Sequence, residues 1–524
     1  MRSIALVMLS IWIIPTPAAA TVYRPADCSQ TTVNDTLATA ASSGDTIVCP
    51  AGSWSWSNVD ITKNITLQGD GIGSTIISIT AAAGLDSPTS YTGAFRVTGF
   101  TFVSTANFGT DSGYGMFRIR GNNGFRVDHN ELQIFSNVVT YNGGNGIVTS
   151  GAVSGLIDHN RFVPRPGNTG CMHASTYEIG ANLPDWQLPS QIGSPDHTVF
   201  IEDNYFEENK TGGLCNPHNP HAAYGQQGGF WVFRHNEVHN MNVDAHGFEP
   251  TISTREYEVS NNTWVADTGI NTYRAMFWRG GTGVVYSNTL VEEGSGSFTA
   301  AIGLTEYRVT TSSRGNPARP ELYGGVPASS CCTTNEGYPC TDQIGRGQQT
   351  GSSPDQSQAS DPLYIWDNDF SAAGMAVIVQ SAGGSGCGGN IDDYIQAGRD
   401  YIYEGGAKPG FVPYVYPHPL QGVAGPDAGV GPGPDAGMGG PDGGRTDAGE
   451  GVDGGRLDAG ERVDGGRIDG GARVDGGRID GGGATPPPPA DGCGCTVPGG
   501  RQPAAWGWVL GAAIAILRRR RRRA

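Results

Sequence analysis

The sequence is poor in charge. Only 16% of its 524 residues are Asp, Glu, Lys or Arg, and acids outnumber bases 50 to 33, a formal net charge of −17. Such a surface disfavours nucleic acid as a partner. It also disfavours polyanionic glycans unless cations or local arginine clusters intervene. Long stretches with the 3.6-residue apolar period are missing, which argues against a helical bundle. Missing too is an internal apolar run of about 20 residues, the length needed to span a bilayer. No CxxC pair with a matching partner occurs, which argues against a cysteine zinc site. What remains is short runs of Val, Ile and Phe punctuated by Gly and Asn.

These runs share one register: apolar, two polar residues, Asn, any residue, apolar. It reads Val127-Asp128-His129-Asn130-Glu131-Leu132, Ile157-Asp158-His159-Asn160-Arg161-Phe162 and Ile201-Glu202-Asp203-Asn204-Tyr205-Phe206. It returns around Asn236, Asn262, Asn288 and Asn368, and the first six asparagines lie 30, 44, 32, 26 and 26 residues apart. A repeat of roughly 20 to 50 residues signals a solenoid, whose units bury their apolar faces only by stacking. The unit here is short strand, bend, short strand, which predicts an all-β parallel β-helix. Asn suits the bend because it tolerates left-handed backbone and its amide can bond the next Asn in the stack. A β-sandwich would show strands every 8 to 12 residues without a fixed polar residue.

The ends differ in kind. Residues 1–20 carry Arg2, an apolar run from Ile4 to Ile14 and Ala18-Ala19-Ala20, the pattern of a secretory signal peptide, and predict export. Residues 21–420 form the solenoid domain. Residues 421–492 collapse to Gly, Asp, Ala, Arg and Pro, with too little apolar surface to offset ordering entropy, and predict a low-complexity linker. Residues 493–524 hold Cys493-Gly494-Cys495, an apolar stretch from Ala504 to Leu517 and Arg518 to Arg523. This tail resembles the MYXO-CTERM type of C-terminal sorting segment. The resemblance implies a sorting protease as partner, retention of Cys493 or Cys495 at the cut, and attachment at the cell surface or outer membrane. A plain membrane anchor is the alternative, since terminal arginines also fit a cytoplasmic stop.

A second resemblance lies at the start of the domain. A short helix over Asn34–Ser42 is followed by Gly44-Asp45-Thr46-Ile47, Pro50-Ala51-Gly52 and Ile65-Thr66-Leu67-Gln68-Gly69. The series is similar to the opening of right-handed parallel β-helix proteins of the pectate lyase-like superfamily. It implies a right-handed solenoid with an N-terminal cap helix, and a polysaccharide as partner. Departures matter as well: the Arg-x-Pro-x-x-Arg element of those lyases is missing, and so are the Asn-Thr-Asp and Gly-His-Gly elements of polygalacturonases. The Pro-rich stretch Lys408–Leu420 reads as a structural exit strand or lid.

Eight cysteines precede the linker, and an even count in an exported chain reads as disulfides. Cys28–Cys49 would tie the cap, Cys171–Cys215 would join adjacent coils, and Cys331, Cys332, Cys340 and Cys387 would staple the insertion near residues 305–360.

Counting from the register Asn places His173 at +13, His246 at +10, Glu249 at +13, Arg274 at +12 and Arg279 at +17. Similar offsets in successive coils lie about 4.8 Å apart along a stack. Asp244, His246, Glu249, Arg274 and Arg279 are therefore the candidate catalytic cluster, with His173, Glu178, Trp231 and Trp278 as candidate substrate-binding groups. A base, an arginine and a carboxylate suit β-elimination on a uronic-acid polymer, with Ca2+ as the cofactor that chemistry would call on. A glycoside hydrolase would use paired carboxylates instead. A non-catalytic adhesin or glycan-binding surface protein is the competing expectation. His218 and His221, in a proline-bounded turn, are a candidate metal pair that lacks an evident third ligand.

Overall fold

A computed structural model describes residues 20–108, 114–121, 123–137, 143–181, 183–208, 220–246, 253–306, 343–350, 358–381 and 395–422. The signal segment, the linker and the tail with Cys493 and Cys495 fall outside them, apart from residues 20, 421 and 422. So do Cys215, His218, Glu249, Cys331, Cys332, Cys340 and Cys387.

The described chain is a parallel β-helix. Three parallel sheets of 12, 9 and 10 strands run its length, and each turn of the solenoid gives one strand to each. One rung runs from Ser154–Asp158 on the 12-stranded sheet (the entry face) through an Asn bend to Arg161–Pro164 on the 9-stranded sheet (the exit face). It then passes a loop to Ala174–Ile179 on the 10-stranded sheet (the third face). Period-2 alternation sends every second side chain inward. On the entry face Val127, Ile157, Ile201, Phe233, Val259 and Val285 pair in register as one buried column. On the exit face Leu132, Phe162, Phe206, Val238 and Trp264 do the same. Phe162 and Phe206 stack 4.8 Å apart, 7° from parallel. Each fully buried side chain of this kind contributes about 1.5–3 kcal/mol.

Between the entry and exit faces the register asparagines form a buried ladder. Asn160 Nδ2 donates to Asn204 Oδ1 at 3.1 Å, to Val127 O at 2.8 Å and to Asp158 O at 2.9 Å. Its backbone N–H donates to the same Asn204 Oδ1 at 2.9 Å. Asn130, Asn204, Asn236, Asn262 and Asn288 repeat the Asn–Asn link as far as Asn368. One detail differs from the sequence expectation. The left-handed residue is the one before each Asn: His129, His159, Asp203, His235, Asn261, Ser287 and Asp367 have φ between 52° and 57°. The asparagine itself supplies hydrogen bonds, not backbone freedom.

The cap helix starts earlier than the apolar pattern suggested. It spans Gln30–Asp35 and continues as a π-helical turn, Thr36–Ala40. Ser29 Oγ caps it by accepting from Thr32 N–H, and Asp27 accepts from Ser29 N–H at 2.9 Å. Val33 and Leu37 plug the first rung, and a Cys28–Cys49 disulfide fastens the cap there. Cys171 is disulfide-bonded as well.

The Pro-rich stretch after the last entry-face strand, Tyr401–Tyr403, turns back along the outside of the entry face. Phe411 lies against Tyr286 and Trp366, Tyr414 against Phe200, and Leu420 against the apolar patch of Leu156, Phe200 and Val232. Its carbonyls accept from buried arginines: Tyr414 and Val415 from Arg234, Leu420 and Gln421 from Arg126. Beneath it, guanidiniums and carboxylates of neighbouring rungs pair in bidentate fashion, Arg96 with Asp128 and Arg126 with Asp158. Burial alone would raise the Asp128 pKa, but Arg96, His129 and Arg126 together hold it far below the usual carboxylate range.

Candidate functional site

The third face carries an outward row of its own. Register sets Val148, Tyr177, Tyr224, Asp244, Phe277 and Gly303 side by side in successive strands. Two residues further along two of these strands come His246 and Arg279, whose backbone N–H groups donate to Gly225 O at 2.8 Å and Ala245 O at 3.0 Å. The result is a contiguous patch of imidazole, phenol, carboxylate and guanidinium on the third face.

Its centre is Asp244, fully buried, with Arg279 Nη2 at 3.2 Å from Oδ2. Burial pushes the Asp244 pKa up to about 6, while Arg279 and then Arg274 pull it back. Arg274 lies over Phe277, its Cζ 3.1 Å from the ring centroid, and its Nη1 donates to Gln380 Oε1 at 2.5 Å. Gln380 in turn donates to the Tyr273 hydroxyl. Arg279 takes the same ring at 4.6 Å. Gly303 makes this stacking feasible, since a Cβ there would stand 2.7 Å from Arg274 Cδ.

Beside Asp244, Tyr224 packs between two imidazoles, with His221 at 4.9 Å and His246 at 4.6 Å between centroids. His173 reaches the same ring at 4.8 Å and lies 5.9 Å from Tyr177. The structure thus brings together Asp244, His246, Arg274, Arg279 and His173 of the sequence-predicted set. Other members go elsewhere. Trp231 and Trp278 point into the core, where Trp278 stacks on Tyr257 at 4.3 Å and Trp231 on the same ring at 5.7 Å. Glu178 also points inward, because it shares a register column with Ala245 and Trp278, and Tyr177 takes the outward place beside it.

Sequence counting missed Tyr177, Tyr224 and Phe277, and read His221 only as half of a metal pair. Loops of unequal length precede each third-face strand, so offset from the register Asn does not fix register there. Period-2 alternation within Ala174–Ile179 was the available signal: if His173 and Tyr177 face one way, Glu178 faces the other.

Glu178 is fully buried and neither carboxyl oxygen makes a hydrogen bond of normal geometry. Burial pushes its pKa up to about 8 against weaker opposition from Thr176 and from the backbone amides of Glu178 and Tyr224. The unfolded chain releases this proton near 4.5, so the native state binds more protons between the two values and stability falls as pH rises. Between pH 5 and 7 the loss should be about 3 kcal/mol at 1.36 kcal/mol per pH unit. Glu178→Gln should flatten that slope in urea midpoints measured at pH 5 and pH 7. An unchanged slope would mean that Glu178 is ionised in the native protein.

Among the described residues no group of three or more His, Cys, Asp or Glu converges as a metal site. Asp244 and the imidazoles therefore do not by themselves fit a calcium ion, whose usual shell is six to eight oxygens.

No family model and no curated protein matches the chain. Among solved structures it is similar to alginate lyase from Paenibacillus sp. str. FPU-7, at 12% identity and TM-score 0.31, over 52% of this chain and 98% of that one. It is also similar to alginate lyase AlyF-OU02 in complex with G6, at 12% and 0.33, over 76% and 99%. A third likeness is to the catalytic domain of a GH87 alpha-1,3-glucanase in complex with nigerose, at 9% and 0.33, over 76% and 70%. At such identities and TM-scores these likenesses assign nothing to the site.

Proposed function

We propose that this protein acts on an extracellular polysaccharide, by lyase-type cleavage beside uronic-acid residues, at the outward patch of the third face. The observation that carries the reading is Arg279 ion-paired to the buried Asp244, with Arg274 on the same Phe277 ring and Tyr224 and His246 alongside. Elimination needs a cation to hold the uronate carboxylate and stabilise the enolate that forms when the adjacent C–H is removed. The two guanidiniums are suited to that task, since a planar fork matches a carboxylate. Calcium is not required by the described residues, and no step is assigned to it.

Below pH 6 Asp244 takes a proton and its ion pair with Arg279 is lost, so a uronate ligand should bind more tightly there. In this reading the chain is exported on its first 20 residues and held at the cell surface through its C-terminal segment, where a sorting protease acts near Cys493 or Cys495.

The test follows the ultraviolet absorbance of unsaturated uronate product from a panel of uronic-acid polysaccharides, with calcium or with chelator. Arg279→Ala should lower kcat/KM by about 10²–10³, the usual cost of removing one preorganised charge-stabilising group. A flat trace across the panel with retention on a glycan array would make the patch a binding surface, and the protein an adhesin.

A further inference from the structure

We propose that the proton acceptor of this site is Nε2 of His221, and that Asn242 is the positioning residue that keeps the lone pair on that nitrogen. The inference rests on the elimination reading above. His221 opens the strand His221–Gln226 and pairs in register with Asn242 of the next rung. Its Nδ1 lies 2.5 Å from Asn242 Oδ1. An amide oxygen only accepts, so Nδ1 carries the proton and the lone pair sits on Nε2. The previous rung repeats the device in the opposite direction: His173 Nδ1 is 2.9 Å from Asn145 Oδ1, and Asn145 Nδ2 donates to Tyr114 O, which orients that amide. Two imidazoles in consecutive rungs, 5.7 Å apart and 88° to one another, are thus set in the same tautomer by two asparagines.

The groups around His221 keep it neutral. Its own strand brings Tyr224, the preceding rung His173, the next rung Asp244 and His246, and the strand beyond Arg274 and Arg279. Burial first, then His173, with Arg279 and Arg274 behind, lowers its pKa well below the ordinary imidazole value, and the Asn242 hydrogen bond opposes this only in part. A neutral imidazole on the face that also carries two guanidiniums is a base ready at neutral pH, linked to them through Tyr224 and Asp244 of the same row.

The step balances. Nε2 takes the proton from the carbon bearing the uronate carboxylate, and the C–H electron pair becomes the new C=C bond. The glycosidic C–O bond breaks with its pair on the leaving oxygen, which takes the Tyr224 hydroxyl proton. Return of the proton from His221 to Tyr224 through solvent restores the site, and no water is consumed.

The experiment uses the full chain labelled with 15N-histidine. Long-range 1H–15N spectra from pH 5 to 8 report tautomer and titration, and His221→Gln assigns the signal by its loss. The wild type should show His221 with the proton on Nδ1 and no protonation down to pH 5. Asn242→Asp, which puts a carboxylate on Nδ1, should bring the titration into that range. It should also move the acidic limb of the pH–rate profile upward by about one unit or more, as an added neighbouring negative charge does. His221→Gln should cost about 10²–10⁴ in turnover. A proton on Nε2, or a titration that Asn242→Asp leaves unmoved, overturns the assignment whatever the activity. The expected tautomer without unsaturated product from any uronate polymer retires the elimination reading itself, and with it the role of His221 as base.

Discussion

Asn204→Asp should lower stability by about 3–5 kcal/mol at neutral pH, the range for an uncompensated buried charge. Asn204 Nδ2 donates to Ile157 O at 2.9 Å, Glu202 O at 2.8 Å and Asn236 Oδ1 at 3.1 Å. A carboxylate there would turn an oxygen toward three acceptors, with only 2% of the residue exposed for water to intervene. Asn204→Ala should cost about 3 kcal/mol, since it orphans the buried Asn160 N–H, at roughly 1–3 kcal/mol per unsatisfied group, and strips Ile157 O and Glu202 O of one donor each. Ser287→Gly is the control. It alters the left-handed position with φ 54°, where glycine is at ease, and should be neutral or stabilising by up to about 1 kcal/mol. Urea midpoints of the full chain decide the matter. A loss under about 1 kcal/mol for Asn204→Ala would show that the ladder relaxes around the gap, and a large loss for Ser287→Gly would show that the Ser287 side chain, and not only its backbone, holds the bend.

Arg234→Met should cost about 3–5 kcal/mol and release the strap formed by residues 407–422. Arg234 is 2% exposed and gives Nε and Nη2 to Glu202 Oε1 at 2.8 and 2.6 Å. Its remaining donors go to strap carbonyls, Nη1 to Tyr414 O at 2.7 Å and Nη2 to Val415 O at 2.9 Å. Burial raises the Glu202 pKa even with Arg234 in place, so the carboxylate cannot stay charged at low cost once the arginine is gone. The strap also uses Glu202 directly, through His418 N–H at 3.1 Å and Gln421 Nε2 at 3.2 Å. Limited proteolysis between Lys408 and Gln421 should therefore accelerate in the variant while the rungs remain protected. If the strap stays resistant and stability is unchanged, the Leu420 and Tyr414 packing alone holds it. Replacing Arg234 and Glu202 together by apolar residues should recover much of the loss, because the pair and not the fold would then have carried it.

The solenoid and its bend were legible because both are periodic. A strand with one buried face must alternate, and stacked units must bring the same polar residue to the same buried place, so Val127, Ile157 and Ile201 and their asparagines announced column and ladder together. The disulfide at Cys28–Cys49 and the cap helix followed from local sequence, and only the helix start moved, because Ser29 outcompeted the apolar pattern in setting it.

The third face is different. Its strands follow loops of unequal length, so distance along the chain from the register Asn does not say which residue faces out. Chain order alone gathered Asp244, His246, Arg274 and Arg279, which lie in adjacent rungs, but it set Glu178 and the tryptophans on the wrong side of the sheet. Sequence by itself determined the stack, the buried amide ladder and the apolar columns, since each repeats a local rule. Tertiary structure alone decided which carboxyl meets a guanidinium and which is sealed in the core, because that depends on register across strands some 20 to 50 residues apart.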